Sequence, residues 1–283
     1  MKKAVMIMVD GFGIPQQGWS DSLYAEYCIS GFTDLFEEYS VPIDANLSVD
    51  GIPQSATGQT ALFTGKNAAE LMNGHIQGFP GPSLREIINS GNLFASLKDA
   101  GLEVAFANAY VNYSLLELAE RGMRSVTTVM TEYVLGCVRT LHDLLAGNAV
   151  YHDITHWTLP EHAGAPFLPP EAAAENLAEL AGENEFTLFE YFLTDRAGHK
   201  QDEFFLSEVL HEFSLFFLRL ISAVPKDTAV ILTSDHGNCE DISVRTHTRN
   251  PVPFFLYGAD MPESLSVSSI TDVHNCILSL YAD

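Results

Sequence analysis

The sequence predicts an α/β fold, a three-layer α/β/α sandwich with a mostly parallel central sheet. Three observations carry this. Apolar runs of strand length recur at 4–9, 103–109, 186–193, 228–232 and 253–257, and continuous rather than alternating runs are what strands buried on both faces require. Helical patterns lie between them at 93–100, 170–181, 204–224 and 270–281, and this alternation of strand and helix is the signature of the class. Asp10, Asp195, Asp235 and His236 fall just past three of the runs, where open α/β sheets place their ligand sites.

Each element has its own local reason. The first run, AVMIMV, stops at Asp10-Gly-Phe-Gly, a turn sequence. The run FTLFEYFL stops at Thr194-Asp195, and TAVIL stops at Thr233-Ser234-Asp235-His236-Gly237. Gly101 stops the helical pattern at 93–100, and Pro225 closes the one at 204–224. Pro170 opens the pattern at 170–181 and Gly182 follows it, which is the usual asymmetry of helix ends. The segment 111–169 has no such rhythm. It holds Gly136, Gly147, Gly164, Pro160, Pro166 and Trp157, and reads as a small lid or insertion beside a single catalytic domain spanning 1–283.

Composition narrows the partners. With 14 basic against 37 acidic side chains, the formal charge is −23. Such a field repels nucleic acid and anionic membrane. It also repels a phosphorylated small molecule unless bound cations reverse the sign locally. Cys28, Cys137, Cys239 and Cys276 are scattered without a CxxC pair, as expected of reduced thiols in the cytoplasm. Asp10 interrupts the opening apolar run too early for a signal peptide or a membrane span.

Four pieces of sequence carry chemistry. Asp10 follows the first strand. Ser55 opens the helical pattern SATGQTALFT, which ends at Gly65. Alone it would read as a helix cap, but a helix N-terminus also offers N–H groups and a positive dipole end to a phosphoryl group. Asp195 and His199 stand four apart, on one face if that turn is helical. Asp235-His236 and, further on, His247 complete the set. Taken singly, each has a commoner structural role. Together they supply three aspartates, three histidines and a serine, the donors of two adjacent divalent sites around an oxygen nucleophile.

These residues resemble the alkaline phosphatase superfamily and, within it, the cofactor-independent phosphoglycerate mutase and phosphopentomutase branch. DHGN followed by HTRNPVP looks like that branch, and SATGQTALFTG has the superfamily's spacing from nucleophile to a Thr-Gly pair. The resemblance implies one metal held by Asp10, Ser55, Asp235 and His236, and another by Asp195, His199 and His247. It implies Mn2+ or Zn2+ as the two cofactor ions and Ser55 as the catalytic nucleophile. The activity expected is hydrolysis of a small phosphomonoester through a phosphoserine. Phosphomutase action on a sugar phosphate or phosphoglycerate, or metal binding without turnover, are the alternatives. The chain is too short for the large inserted domain of the phosphoglycerate mutases, and Ser55-Ala-Thr-Gly-Gln does not resemble the maturation motif of sulfatases. Asn108 and Arg249 are the expected substrate contacts; Arg85, Arg196, Arg245, Lys66 and Lys200 are further cations that could meet a phosphate.

Overall fold

The computed structural model describes residues 3–259 and 266–282. Among the described residues eight strands form: β1 Lys3–Val9, β2 Ser40–Ile43, β3 Val104–Phe106, β4 Ala109–Tyr110, β5 Arg139–Thr140, β6 Phe186–Tyr191, β7 Thr228–Thr233 and β8 Val252–Tyr257. Six of them make the central sheet, in the order β2-β8-β7-β1-β6-β3. β1 pairs in parallel with both β6 and β7, and β3 pairs in parallel with β6. β8 runs antiparallel to β7 and to β2. The sheet is therefore mostly parallel, with one reversed strand.

β1 shows why the strands read as unbroken apolar runs. Its side chains alternate between two separate cores. Ala4, Met6 and Met8 enter one, and Val5, Ile7 and Val9 enter the other. Over the first face lie the helices Ser55–Thr64, Pro82–Asn89, Leu93–Asp99, Val126–Leu135 and Ile270–Ser279. Over the second lie Leu23–Tyr27, Phe32–Tyr39, Pro170–Glu183 and Glu203–Ala223. The second core is rich in aromatic rings: Phe217 sits 5.9 Å from Phe32, 5.5 Å from Phe36, 6.1 Å from Phe213 and 5.2 Å from Phe255, centre to centre.

The expected strands at 4–9, 186–193, 228–232 and 253–257 all form, as do the four expected helices. The run at 186–193 ends two residues early, because Leu193 already begins the helix Leu193–Lys200. The run at 103–109 is divided. β3 joins the main sheet, and β4 leaves it to pair with β5. β2 carried no signal in the sequence, since it is a four-residue edge strand containing Pro42 and only Ile43 of it is buried.

The segment 111–169 holds the helices Leu115–Arg121, Val126–Leu135 and Leu141–Leu145, β5, and a short 3-10 turn, Glu161–Ala163. Val126, Val129 and Met130 belong to the first core. Leu144 joins Ala109, Ala149 and Tyr151 in a small cluster of its own. Among the described residues, no helix is long and apolar enough to cross a membrane.

Phe217 is fully buried, so Phe217→Ala should cost about 3–5 kcal/mol of folding stability. Urea denaturation would measure it, and a loss below about 1 kcal/mol would contradict the packing described.

Candidate metal centre and nucleophile

The register of three central strands brings the site together. Met8 of β1 pairs with Thr233 of β7, and Val9 pairs with Tyr191 of β6. Asp10, Asp195 and the pair Asp235-His236 therefore leave adjacent strands at one sheet edge. Gly11 makes the first exit possible. It has φ +68°, and a Cβ there would lie 2.9 Å from the backbone and side chain of Asp195. The Ser55–Thr64 helix then lays its first turn on the same edge. A Cβ on Gly58 would stand 2.7 Å from the Asp235 carbonyl oxygen, so only glycine allows this approach.

All seven residues expected from the sequence converge. Ser55 is the first residue of its helix, and the residue at the cap position is Gln54. The Ser55 hydroxyl does not cap. It donates to His236 Nε2 at 3.0 Å. His236 Nε2 also lies 3.3 Å from Asp10 Oδ1 and 3.6 Å from Asp235 Oδ2. On the other side, Asp195 and His199 do share a helical face. His199 Nε2 is 3.4 Å from Asp195 Oδ2, and His247 Nε2 is 3.3 Å from Asp195 Oδ1. The two Nε2 atoms of His199 and His247 face each other at 3.1 Å. The His236 and His247 rings stack at 3.7 Å and link the two groups.

The imidazole tautomers follow from the backbone. His199 Nδ1 meets the Arg245 carbonyl at 2.8 Å, His247 Nδ1 meets the Pro53 carbonyl at 2.8 Å, and His236 Nδ1 meets the Gly237 carbonyl at 3.4 Å. A carbonyl can only accept, so in each ring Nδ1 carries the proton and Nε2 presents a lone pair in the neutral form. Imidazoles that ligate metals are held in this way.

The electrostatics fit a cation. Asp10, Asp235 and His236 each offer an atom within 4.8 Å of the others. Two carboxylates at that distance repel by about 3.5 kcal/mol at an effective dielectric constant near 20. Asp10 Oδ1 and Asp235 Oδ2 are buried and make no hydrogen bond. Burial, aided by Asp235, Asp195 and Glu190, pushes the Asp10 carboxyl well above its ordinary range. Burial and then Asp195 lift Asp235 to about 7, and burial lowers His236 to about 3. Burial also pushes Asp195 up, but the hydrogen bond from His247 and the neighbouring imidazole charges hold it down at about 2. His247 moves the other way: burial lowers it, and Asp195 more than offsets this. The oxygen and nitrogen donors suit zinc or manganese.

Several supporting residues were not singled out in the sequence. Gln59 Nε2 donates to Asp10 Oδ2 at 3.3 Å, and Asn238 Nδ2 donates to Asp195 Oδ1 at 2.6 Å. Buried Glu240 accepts from the backbone N–H of Gly13 and Asn238 and from the side chains of Thr248 and Asn250, tying together the loops that carry Asp10, His236 and His247. Glu190 lies in the cavity beside Ser55 and accepts from Thr127 Oγ1. Burial raises its carboxyl to about 7. Its one signal in the sequence was a lone carboxylate inside an apolar strand.

The expected substrate contacts separate. Asn108 lines the cavity, but its amide is spent on the Glu190 backbone in both directions, at 2.7 and 2.8 Å. Arg249 is exposed and is not among the residues lining the cavity. Arg196 does line it. The other cations point elsewhere. Arg85 Nε donates to the Pro80 carbonyl, Lys66 to Ser90, and Lys200 sits 3.9 Å over the Phe205 ring. Arg245 is exposed.

The fold and this edge define a class: an α/β protein whose central strands gather carboxylates and imidazoles around a helix-borne serine. Comparison with known proteins bears on the fold and on part of the sequence. Residues 146–278 match the family described as Metalloenzyme superfamily. The phosphopentomutase of Clostridium beijerinckii is 33% identical over 67 residues, which is 24% of this chain and 17% of that protein. The phosphopentomutase of Clostridium tetani is 33% identical over 64 residues, 23% of this chain and 16% of that one. The matched stretch is thus about a sixth of those relatives. Among solved structures, alkaline phosphatase from Thermus thermophilus superposes with a TM-score of 0.58 at 12% identity, covering 98% of this chain and 90% of that one. Alkaline phosphatase from the Antarctic bacterium TAB5 gives 0.55 at 13% identity, covering 98% and 97%. Phosphoglycerate mutase from Leishmania mexicana gives 0.53 at 12% identity, covering 99% and 95%. The chain has the alkaline phosphatase-like fold, and its residues 146–278 carry the sequence pattern of the Metalloenzyme superfamily.

Asp195→Ala and His247→Ala should each lose bound metal, measured by elemental analysis after reconstitution and desalting. Full occupancy in either variant would refute the ligand assignment. Gly58→Ala should destabilise the fold by about 1–3 kcal/mol through overpacking against the Asp235 backbone, seen as a lower thermal midpoint. An unchanged midpoint would show that the helix can move away from β7.

Proposed function

We propose that this chain is a metal-dependent phosphoryl-transfer enzyme that hydrolyses a small phosphomonoester with Ser55 as nucleophile. One observation carries the reading. The Ser55 hydroxyl lies at a helix N-terminus, 3.0 Å from His236 Nε2, among buried carboxylate oxygens that have no hydrogen-bond partner.

Asp10, Asp235 and His236 would hold one Mn2+ or Zn2+, with Ser55 beside it. Asp195, His199 and His247 would hold the second. When bound, these ions supply the positive charge that favours ionisation of the Ser55 hydroxyl and balances the phosphoryl oxygens. The chain's own residues do the remainder. The Ser55–Thr64 helix fixes Oγ and directs its positive dipole end toward the phosphoryl group. Oγ forms a bond to phosphorus as the bond from phosphorus to the ester oxygen breaks, and the alcohol leaves with a proton. Water then cleaves the Oγ–P bond, restoring the serine. One phosphomonoester and one water give one alcohol and one phosphate. Gln59 and Asn238 keep Asp10 and Asp195 oriented through both steps.

A phosphomutase is the second reading, favoured by the 67-residue similarity to phosphopentomutase. It shares the first step and differs in returning the phosphoryl group to another oxygen of the same substrate.

The test is phosphate release from a panel of monoesters with manganese or zinc restored. Release by the intact protein should fall at least about a thousandfold in Ser55→Ala. Isomerised ester without free phosphate would favour the mutase. Bound metal with neither product nor phosphoserine would overturn both readings and leave a metal-binding protein without turnover.

A further inference from the structure

Beside Ser55 opens a cavity of about 430 Å³, within the range of small-molecule sites. Asp10, Asp195 and Ser55 form its polar end. Its exposed wall area is mostly apolar, with Phe79, Tyr110, Tyr113, Leu118, Met123 and Phe192 contributing, and polar residues such as Asn112, Ser125 and His152 lie among them. Phe192 is stacked on His152, with ring centres 4.3 Å apart and planes 24° apart. The Tyr110 hydroxyl is engaged with Thr128 Oγ1 at 2.6 Å. Phe79 and Met123 are partly exposed at 46% and 39%, so the apolar surface extends to solvent.

The charges are as telling as the rings. Besides Asp10 and Asp195 the cavity holds Glu190. Among the described residues that line it, Arg196 is the one with a cationic side chain, and it is exposed. Arg121 is placed 4.5 Å over the Tyr113 ring and is not among the lining residues. A substrate with a second phosphate or a carboxylate would bring that charge into a cavity of acidic and aromatic side chains with one solvated partner. The cost of desolvating an anion without a partner is large. A flat neutral body would instead bury its faces against aromatic rings.

Resting on the phosphoryl-transfer reading above, we propose that this cavity selects phosphomonoesters of neutral alcohols bearing an apolar ring, and rejects esters with a second anionic group. Phe79, Tyr113, Met123 and Phe192 hold the ring while the single phosphoryl group meets Ser55. A bisphosphate or a phosphoglycerate fits this wall poorly, because either would bring a second anion to it, whereas a sugar monophosphate would not.

The test separates the two readings. The intact, metal-restored protein is given 2-phenylethyl phosphate, glycerol 1-phosphate and 3-phosphoglycerate, all esters of alkyl alcohols, so that ring and charge rather than aryl leaving-group chemistry decide the rates. The kcat/KM for 2-phenylethyl phosphate should exceed that for glycerol 1-phosphate by at least about tenfold, the scale of discrimination an apolar pocket achieves, and 3-phosphoglycerate should be slowest. Phe79→Ala should shrink the first ratio. Met123→Lys should raise 3-phosphoglycerate relative to glycerol 1-phosphate. In parallel, calorimetry on metal-restored Ser55→Ala compares 2-phenylethylphosphonate with methylphosphonate and needs no turnover. Equal kcat/KM for the three esters, with release still dependent on Ser55, would overturn the cavity inference and leave the phosphatase reading intact. No turnover, with the phenyl phosphonate bound about tenfold tighter, would keep the inference and overturn the phosphatase reading. Equal binding of the two phosphonates would overturn the inference whatever the rates.

Discussion

Three hydrogen bonds from imidazole Nδ1 to backbone carbonyls set the chemistry of this protein. They run from His199 to Arg245, from His236 to Gly237 and from His247 to Pro53. Each leaves an Nε2 lone pair aimed into a space already lined by aspartate oxygens. Lone pairs and carboxylates gathered this closely repel one another. Positive charge at the centre, such as a bound cation, would offset that repulsion. On the proposed reading, a locally held cation would reconcile an acidic chain with an anionic substrate.

The sheet bears the mechanical load of holding that space open. β1 lies at its centre with one face in each core, and its two neighbours deliver Asp195 and Asp235-His236 in register with Asp10. The loops beyond the strands would diverge without ties. Glu240 supplies four of them from one buried carboxylate, joining the loops after β1 and β7 to the segment that carries His247. Such a carboxylate is stable in the interior because its oxygens are fully engaged. Asp10 and Asp235 each keep one buried oxygen without a partner, and this contrast sets the candidate ligands apart from the structural acid.

One wall of the cavity beside Ser55 comes from the segment 111–169, through Tyr113, Leu118 and Met123, and another comes from Phe79 and Phe192. The candidate metal residues and the walls of the cavity beside them thus come from different parts of the chain. Strand ends carry the former, and the less regular segment supplies part of the latter. Sites grafted on a common fold diverge in this way.

Much of this was already legible in the order of residues. Period and composition determine strands buried on both faces, so the α/β class, the main strands and four helices follow from the apolar runs and their glycine and proline stops. The seven candidate site residues could also be found, because a carboxylate or histidine directly after a buried strand has few other uses when several occur together. What the sequence could not determine depends on contacts between distant segments. Glu190 sits in an apolar strand and Glu240 in a polar loop, yet neither context tells that one faces the cavity and the other clasps loops, since only tertiary packing decides what a buried carboxylate meets. Asn108 was expected at the substrate; it lines the cavity while its amide bonds the β6 backbone. Arg249 follows His247 closely, but its side chain turns to solvent while Arg196, one residue from Asp195, lines the cavity. Proximity along the chain fixes which residues share a loop, and the direction of each side chain is set by the strand or helix that packs against it.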